Sequence, residues 1–380
     1  SSTASTNNPG AGIGSGKRAK GNTDITIEGS TVKAVGGYGA AIGSGSEGDF
    51  YSPPTGTPNA LKTIIHITDS NVTASSDSSA AIGSGSYSTN ATDIEITGGT
   101  INATSYDGSG IGSGDSAKGD TDIKIKDSNV TAKGFIDVRY VSHGTGIGSG
   151  LSSSGKTTID ISGGTVKATG SGDGYKGSAG IGSGSYSTGD TSITLRDGVT
   201  VTATGGGNSS LGGGGGAGIG GGIGSTGSSI TIRGGTIEAV GGAGAAGIGD
   251  GVGAQQPEID QDTPPSNPNN IIICGDAEVT AKAGRSQMLD AKAPAIGGKY
   301  GEVPTENLSD EEHKVTGGRL TRLNADGTVM EGMGYDYTST PKPQPDDDED
   351  DDDDDVPPPV QENAPEPLPG GMVVGGFFSS

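Results

Sequence analysis

Two phrases alternate along this chain, and their spacing leaves few folds open to it. The first is Ala-Gly-Ile-Gly-Ser-Gly or a close variant, with its Ile at Ile13, Ile42, Ile82, Ile111, Ile147, Ile181, Ile219, Ile248 and Ile296. Between its copies stand Ile-x-Ile, a tight turn and Val-x-Ala. The starts are separated by roughly 29, 40, 29, 36, 34, 38, 29 and 48 residues, so the bare unit is about 29 residues long and the excess is loop. Self-similarity at such a period marks a solenoid, in which each unit buries its apolar face against its neighbours.

Eight units align on the second phrase: Ile25-Thr-Ile27, Ile65-His-Ile67, Ile94-Glu-Ile96, Ile123-Lys-Ile125, Ile159-Asp-Ile161, Ile193-Thr-Leu195, Ile230-Thr-Ile232 and Ile271-Ile-Ile273. Each is followed by Val or Ile, then Ala two positions on, as in Val72 with Ala74 and Val130 with Ala132. Apolar residues at i and i+2 are the period of a strand with one buried face, and Ile and Val favour that state. Gly98-Gly99, Gly163-Gly164 and Gly234-Gly235, or Asp69-Ser70-Asn71 and Asp127-Ser128-Asn129, supply the turn between the two strands. In Ile-Gly-Ser-Gly the Ile is the bulky residue, so this phrase reads as a short third face that plugs the core with one aliphatic side chain. Three faces per coil predict an all-β fold, a parallel β-helix, right-handed by the general rule for parallel crossovers. Eight coils at about 4.8 Å make a rod of roughly 40 Å. The outward residues of the first strand then stack as Thr26, His66, Glu95, Lys124, Asp160, Thr194, Thr231 and Ile272, with Glu95, Lys124 and Asp160 alternating in sign.

Composition agrees with a slender core. Of 380 residues 76 are Gly, 10 Tyr and 4 Phe, with no Trp. The net charge of -23 and the lack of a Lys/Arg cluster argue against nucleic acid and anionic membranes as partners. Lys342 against the ten acids of 346–355, Glu362 and Glu366 gives -11, so the repeats carry only part of the charge. Cys274 is the single cysteine, precludes an internal disulfide and reads as a buried, inert thiol after Ile273. No apolar stretch approaches 18 residues, so no membrane insertion is expected. The absence of an initiator Met and of a leader is expected of a mature or excised form.

The organisation read from these shifts is a disordered lead-in over 1–10, β-helix repeats over 11–298, a C-terminal cap over 299–340 and an acidic, Pro-rich disordered tail over 341–380. In the cap, Arg319 to Leu323, the turn Asn324-Ala-Asp-Gly327 and Thr328-Val-Met330 form a hairpin candidate that covers the open end.

Gly-Ala-Gly-Ile-Gly-Gly/Ser-Gly alternating with Ile-Thr-Ile-x-Gly-Gly-Thr-Val-x-Ala resembles the repeat of large secreted or cell-surface proteins of Gram-positive, often gut-dwelling, bacteria. The resemblance covers roughly three quarters of the chain. It implies a right-handed parallel β-helix and a carbohydrate-binding or adhesin-like role outside the cell. Leu368-Pro369-Gly370-Gly371 departs from the sortase signal, so covalent wall anchoring is not expected.

The tyrosines gather at the loops. Tyr38, Tyr106, Tyr140 and Tyr175 precede the Ile-Gly phrase, while Phe50, Tyr51, Tyr87 and Tyr186 follow it. Tyr106, Tyr140 and Tyr175 fall in consecutive units, and a stacked row of their rings is a platform for the apolar faces of sugars, against the alternative that each packs onto its own loop. The insertion from Phe135 to His143 holds Asp137, Arg139 and His143, a set resembling acid-base chemistry but lacking the second carboxylate that glycoside cleavage requires. Asp24, Asp93 and Asp122, with Asp120 nearby, raise a calcium site, yet the other units carry Ile, Thr, Ser or Asn there, so turn-stabilising hydrogen bonds are the better reading. Gly212 to Gly222 lacks the Lys-Ser/Thr of a phosphate loop, and no cofactor or metal is expected. The sequence thus predicts a non-catalytic, extracellular adhesion or glycan-binding module contacting a glycan or cell-surface polysaccharide through Tyr38, Tyr106, Tyr140 and Tyr175. A polysaccharide lyase or hydrolase on the same scaffold, and a structural stalk, remain the alternatives.

Overall fold

A computed structural model describes residues 2–3, 9–47, 61–134, 143–172, 176–207, 214–226, 228–252, 270–285, 295–297, 313–330 and 335–336. The acidic tail, with residues 135–142 and 173–175, lies outside the described residues. The protein is all-β, three sheets wound as a parallel β-helix. One sheet collects the Ile-x-Ile strands, from Thr23–Glu28 to His313–Val315, and has nine members. A second collects the Val-x-Ala strands and has eleven. The third is a ladder of nine two-residue strands, Ile13–Gly14 to Ile296–Gly297.

Register is in step from coil to coil. Ile94 lies beside Ile65 and Ile123, Ala103 beside Ala74 and Ala132, and Ile111 beside Ile82 and Ile147. Three columns of aliphatic side chains therefore meet on the axis, and Ile65, Ile82, Ile101, Ile111 and Ile161 are fully buried. A one-residue slip in any strand would turn its whole column outward, so the buried columns fix the register.

The plug glycines set how closely coils approach. Gly112 has φ +137°, and a Cβ built on it would lie 1.9 Å from the carbonyl oxygen of Gly148 in the next coil. In four coils the serine that follows the plug glycine, Ser44, Ser84, Ser113 or Ser149, is buried and has a task the sequence did not disclose. Ser44 Oγ accepts from Gly85 N at 2.9 Å, Ser84 Oγ from Gly114 N at 3.1 Å, Ser113 Oγ from Gly150 N at 3.0 Å and Ser149 Oγ from Gly184 N at 3.0 Å. A glycine corner leaves its N–H inside the molecule, and the hydroxyl of the previous coil satisfies it.

At the turn between the two long strands the two sequence types alternate. Asp69 and Asp127 take φ of 47° and 49°. A Cβ on Gly98 would meet Asp69 Oδ1, and one on Gly163 would meet Asp127 Oδ1, at 2.1 Å in each case. Each aspartate thus fills the space left by the Gly-Gly turn of the next coil.

The outward stack follows the expected order, but its ion pairs differ. His66 Nδ1 meets Glu95 Oε2 at 3.2 Å, Lys124 turns to Asp122 of its own strand at 3.1 Å, and Asp160 takes Arg196 diagonally at 3.0 Å from both Nε and Nη2. Long side chains reach past the nearest neighbour when a planar bidentate geometry is on offer. Cys274 is half-buried, not fully covered, because it stands at the turn after Ile273.

The ends depart from simple repetition. Within 1–10, Ser2–Thr3 pairs parallel with Ala34 and Val35. Beyond 298, His313–Val315 aligns with Ile271–Ile273, and Arg319–Leu323 aligns with Glu278–Lys282, so the coil is traced once more after the repeat phrase has gone. Arg322 stands in the alanine column and is buried. The hairpin candidate is present in part, since Leu323 bridges Val329 antiparallel and Asn324 N donates to Thr328 O at 2.9 Å. No helix among the described residues is long and apolar enough to cross a membrane.

Gly112→Ala forces a methyl into a backbone contact under 2 Å at a φ that L-residues avoid, and is expected to cost at least about 3 kcal/mol. Gly16→Ala meets nothing within 4 Å and is expected to be neutral within about 0.5 kcal/mol. Denaturant titration followed by circular dichroism reads both.

Candidate functional site

The shortness of the plug strand brings two turns together. Its neck is closed by Ala80 N donating to Ser84 O at 3.1 Å, Ser109 N to Ser113 O at 3.0 Å and Ala179 N to Ser183 O at 3.2 Å. The turn that enters the plug and the turn that leaves it therefore run side by side up the rod. Bonds between coils stitch them into a seam: Ser86 N to Tyr38 O at 3.3 Å, Asp115 N to Ser78 O at 3.2 Å and Leu151 N to Asp107 O at 3.3 Å.

On the exit side, equivalent residues adopt left-handed backbone. Arg18, Tyr87, Ser116, Ser152 and Tyr186 have φ between 51° and 58°, and Gly224 continues the column at 64°. Left-handed backbone costs an L-residue about 1–2 kcal/mol, and a bulky side chain there is an outlier. Glycine serves the turn at 224, so the rings at Tyr87 and Tyr186 are retained against a local cost. Lys176 Nζ sits 5.5 Å from the centre of the Tyr186 ring.

On the entry side, the chain returns from the 135–142 insertion at His143. Its N–H and that of Gly144 donate to Tyr106 O at 3.1 and 2.9 Å, and its carbonyl accepts from Ser178 Oγ. The imidazole is 6% exposed, with Nδ1 3.7 Å from Asp107 Oδ1. Its Nε2 has no hydrogen-bond partner. Asp107 and Asp115 face it, and Asp77 stands beside Asp107. Burial pushes the Asp115 carboxyl up to about 6; the Ser116 hydroxyl, donating at 2.9 Å, opposes this, the Asp107 charge adds to it, and His143 and Lys176 oppose it. Asp77 is raised by burial and then by Asp107, and the Tyr87 phenol by burial and then by Asp115. Three carboxylates share this seam with a buried imidazole and a tyrosine.

Of the tyrosines expected to bind, Tyr38 is 37% exposed and Tyr106 is half-buried on the seam. Tyr140 and Tyr175 lie outside the described residues, as do Asp137 and Arg139. The residue whose backbone meets Tyr106 from the coil above is His143. The sequence singled out His143 but grouped it with Asp137 and Arg139 of its own loop. Asp77, Asp107 and Asp115 went unnoticed there, although Asp107 and Asp115 each stand four residues from Ile111 on either side.

Of the aspartates considered for calcium, Asp93, Asp120 and Asp122 line a groove at the start of the Ile-x-Ile strands with Lys62 and Lys156. They are engaged already. Lys62 pairs with Asp93, Lys124 with Asp122, and Asp120 Oδ1 accepts from Lys156 N at 2.9 Å, as Asn22 Oδ1 does from Lys62 N at 3.0 Å. Among the described residues no three His, Cys, Asp or Glu side chains are grouped to hold a metal ion.

Compared with known families, the chain matches a family model described as Beta helix repeat over residues 25–46, 65–86, 94–115, 159–185 and 230–252. Each match opens on an Ile-x-Ile strand and closes at the turn leaving the plug, one coil of the structure. The matches and the stacked coils agree on a parallel β-helix fold built of repeats. No curated protein and no solved structure matches the chain.

Asp115 holds its proton up to about 6 in the fold and loses it near 3.8 when unperturbed, so between these values the folded state binds more protons. Stability therefore falls as pH rises from about 4 to about 6 and stays lower above, by an amount on the order of 2–3 kcal/mol. Asp115→Asn is expected to be more stable than the parent at pH 8 and equal to it at pH 4, read from denaturation midpoints at the two pH values.

Proposed function

We propose that this chain is a non-catalytic glycan-binding module acting outside the cell, with the β-helix as a stiff spacer and the seam between the two turns as the contact surface. The observation that carries the reading is the pair of tyrosines held in left-handed backbone. A ring kept where glycine suffices is being kept for its surface, and the apolar faces of sugar rings stack on such surfaces. Tyr38 and Tyr106, beside acids and hydroxyls that accept from and donate to sugar hydroxyls, extend the same strip. The resemblance to bacterial surface repeats supports the adhesion setting.

One observation favours a second reading, cleavage of the bound glycan: a carboxyl raised to about 6 lies in the field of a second carboxylate and an imidazole. Glycosidases set such pairs with different proton affinities. Release of reducing ends from a polysaccharide, lost in Asp115→Asn, would establish that reading over binding alone.

Tyr87→Gly separates binding from folding. It removes a ring and relieves a strained φ, so the expected outcome is unchanged or raised stability with about tenfold weaker glycan binding. Tyr186→Gly also loses packing against Ile223, Ala245 and Val252 and is expected to lower stability. A glycan panel followed by calorimetry on the hits measures this. Absence of any binding by the parent leaves the structural stalk.

A further inference from the structure

The seam holds more negative charge than its own residues neutralise. Asp77 and Asp107 come from the entry turns of successive coils, and Asp107 N donates to Asp77 O at 3.0 Å, which fixes the two residues one above the other. Asp115 arrives from the exit turn of the same coil as Asp107. Among the described residues, His143, Lys176, Ser116 and Tyr87 face Asp115, His143 also faces Asp107, and Tyr38 stands beside Tyr87. Lys176 is drawn to the Tyr186 ring, and Asp77 makes no ion pair among the described residues. Carboxylates brought together repel, and an arriving cation relieves that repulsion.

A second observation is independent of the acids. The imidazole of His143 is buried with Nε2 unpartnered while Nδ1 faces Asp107. Buried polar atoms are nearly always bonded, and one left without a partner marks a place in the seam where a bonding atom is missing.

A third lies in the repetition itself. Tyr186 and Tyr87 occupy equivalent turns, each with its N–H bonded to the coil above, to Ile223 O and to Asp115 O respectively, at 2.8 Å. Over Tyr186 the chain places an ammonium of its own, Lys176. Over Tyr87 no described residue does so, yet here the carboxylate of Asp115 is alongside. The fold thus carries one ammonium seat filled from within and one equivalent seat that no described residue fills, with acids beside it.

We infer that the seam takes a glycan bearing free amino groups, a polymer of de-N-acetylated amino sugars, with an ammonium seated between the Tyr87 ring and the carboxylates of Asp115, Asp107 and Asp77, beside the buried imidazole of His143. This rests on the glycan-binding reading and names its ligand class. An N-acetyl group in place of the ammonium removes the charge and brings a bulky amide to the same place.

The test is calorimetric binding of short glucosamine oligomers, fully de-N-acetylated against fully N-acetylated at equal length, at pH 7 and at pH 5. The expected result is at least tenfold tighter binding of the de-N-acetylated oligomer at pH 7. That advantage is lost in Asp107→Asn and in Tyr87→Gly, and reduced at pH 5, where Asp115 carries a proton. A variant with the ten acids of 346–355 changed to Asn retains the preference. Equal or tighter binding of the acetylated oligomer overturns the inference and leaves the glycan reading standing. Binding that follows the tail variant and ignores Asp107→Asn overturns it as attraction of a polycation to the tail. Binding of neither oligomer, with a neutral glycan bound through Tyr87, overturns it too, whereas no glycan bound at all removes the underlying reading.

Discussion

The distance between neighbouring coils at the plug governs this molecule. Where Gly43, Gly83, Gly112 and Gly148 stack, carbonyl oxygens approach so near to the Cα of the coil beside them that no side chain fits between. That approach draws the Ile-Gly pairs into a ladder, and the ladder pulls the third corner of each coil inward until one isoleucine suffices to fill it. Parallel pairing of the long strands then follows in step, because all three faces belong to one turn of chain.

Such close packing excludes water from the corner, and the backbone must be satisfied from within. The buried serines answer this by accepting from glycine N–H groups one coil away, so the polar atoms of the interior form their own column beside the aliphatic ones. The same geometry creates the seam. A two-residue strand cannot hold its flanking turns apart, and side chains distant in sequence, such as Tyr38 and Tyr87 or Asp107 and His143, come within range of one another.

Much of the architecture was legible because it is written in identical characters. Ile-x-Ile, Val-x-Ala and Ile-Gly each recur, and stacking like on like placed Ile94 beside Ile123 and Ala103 beside Ala132 without further information. The role of the serine was not legible, since a hydroxyl among glycines says nothing of which way it points. The final turn of the coil escaped because Arg322 stands where alanine stood before. The seam was the least legible part. Its members come from different coils, and the insertion before His143 shifts the residue that meets Tyr106, so position within the loop could not reveal the neighbour. Positive φ at Tyr87 and Tyr186 has no sequence signature either, because tyrosine is not a residue one reads as left-handed.

The alternation of aspartate and Gly-Gly at the turn between the long strands bears on how this chain lengthened. Asp69 lies against Gly98 and Asp127 against Gly163 of the following coil, and Asp276 against Gly234 of the preceding one, so each carboxylate has a bare neighbour on an adjacent level. Gain or loss of one level would set acid on acid or leave two empty corners facing. The natural quantum of duplication is therefore a pair of levels, and a lineage built this way should vary in height by even steps.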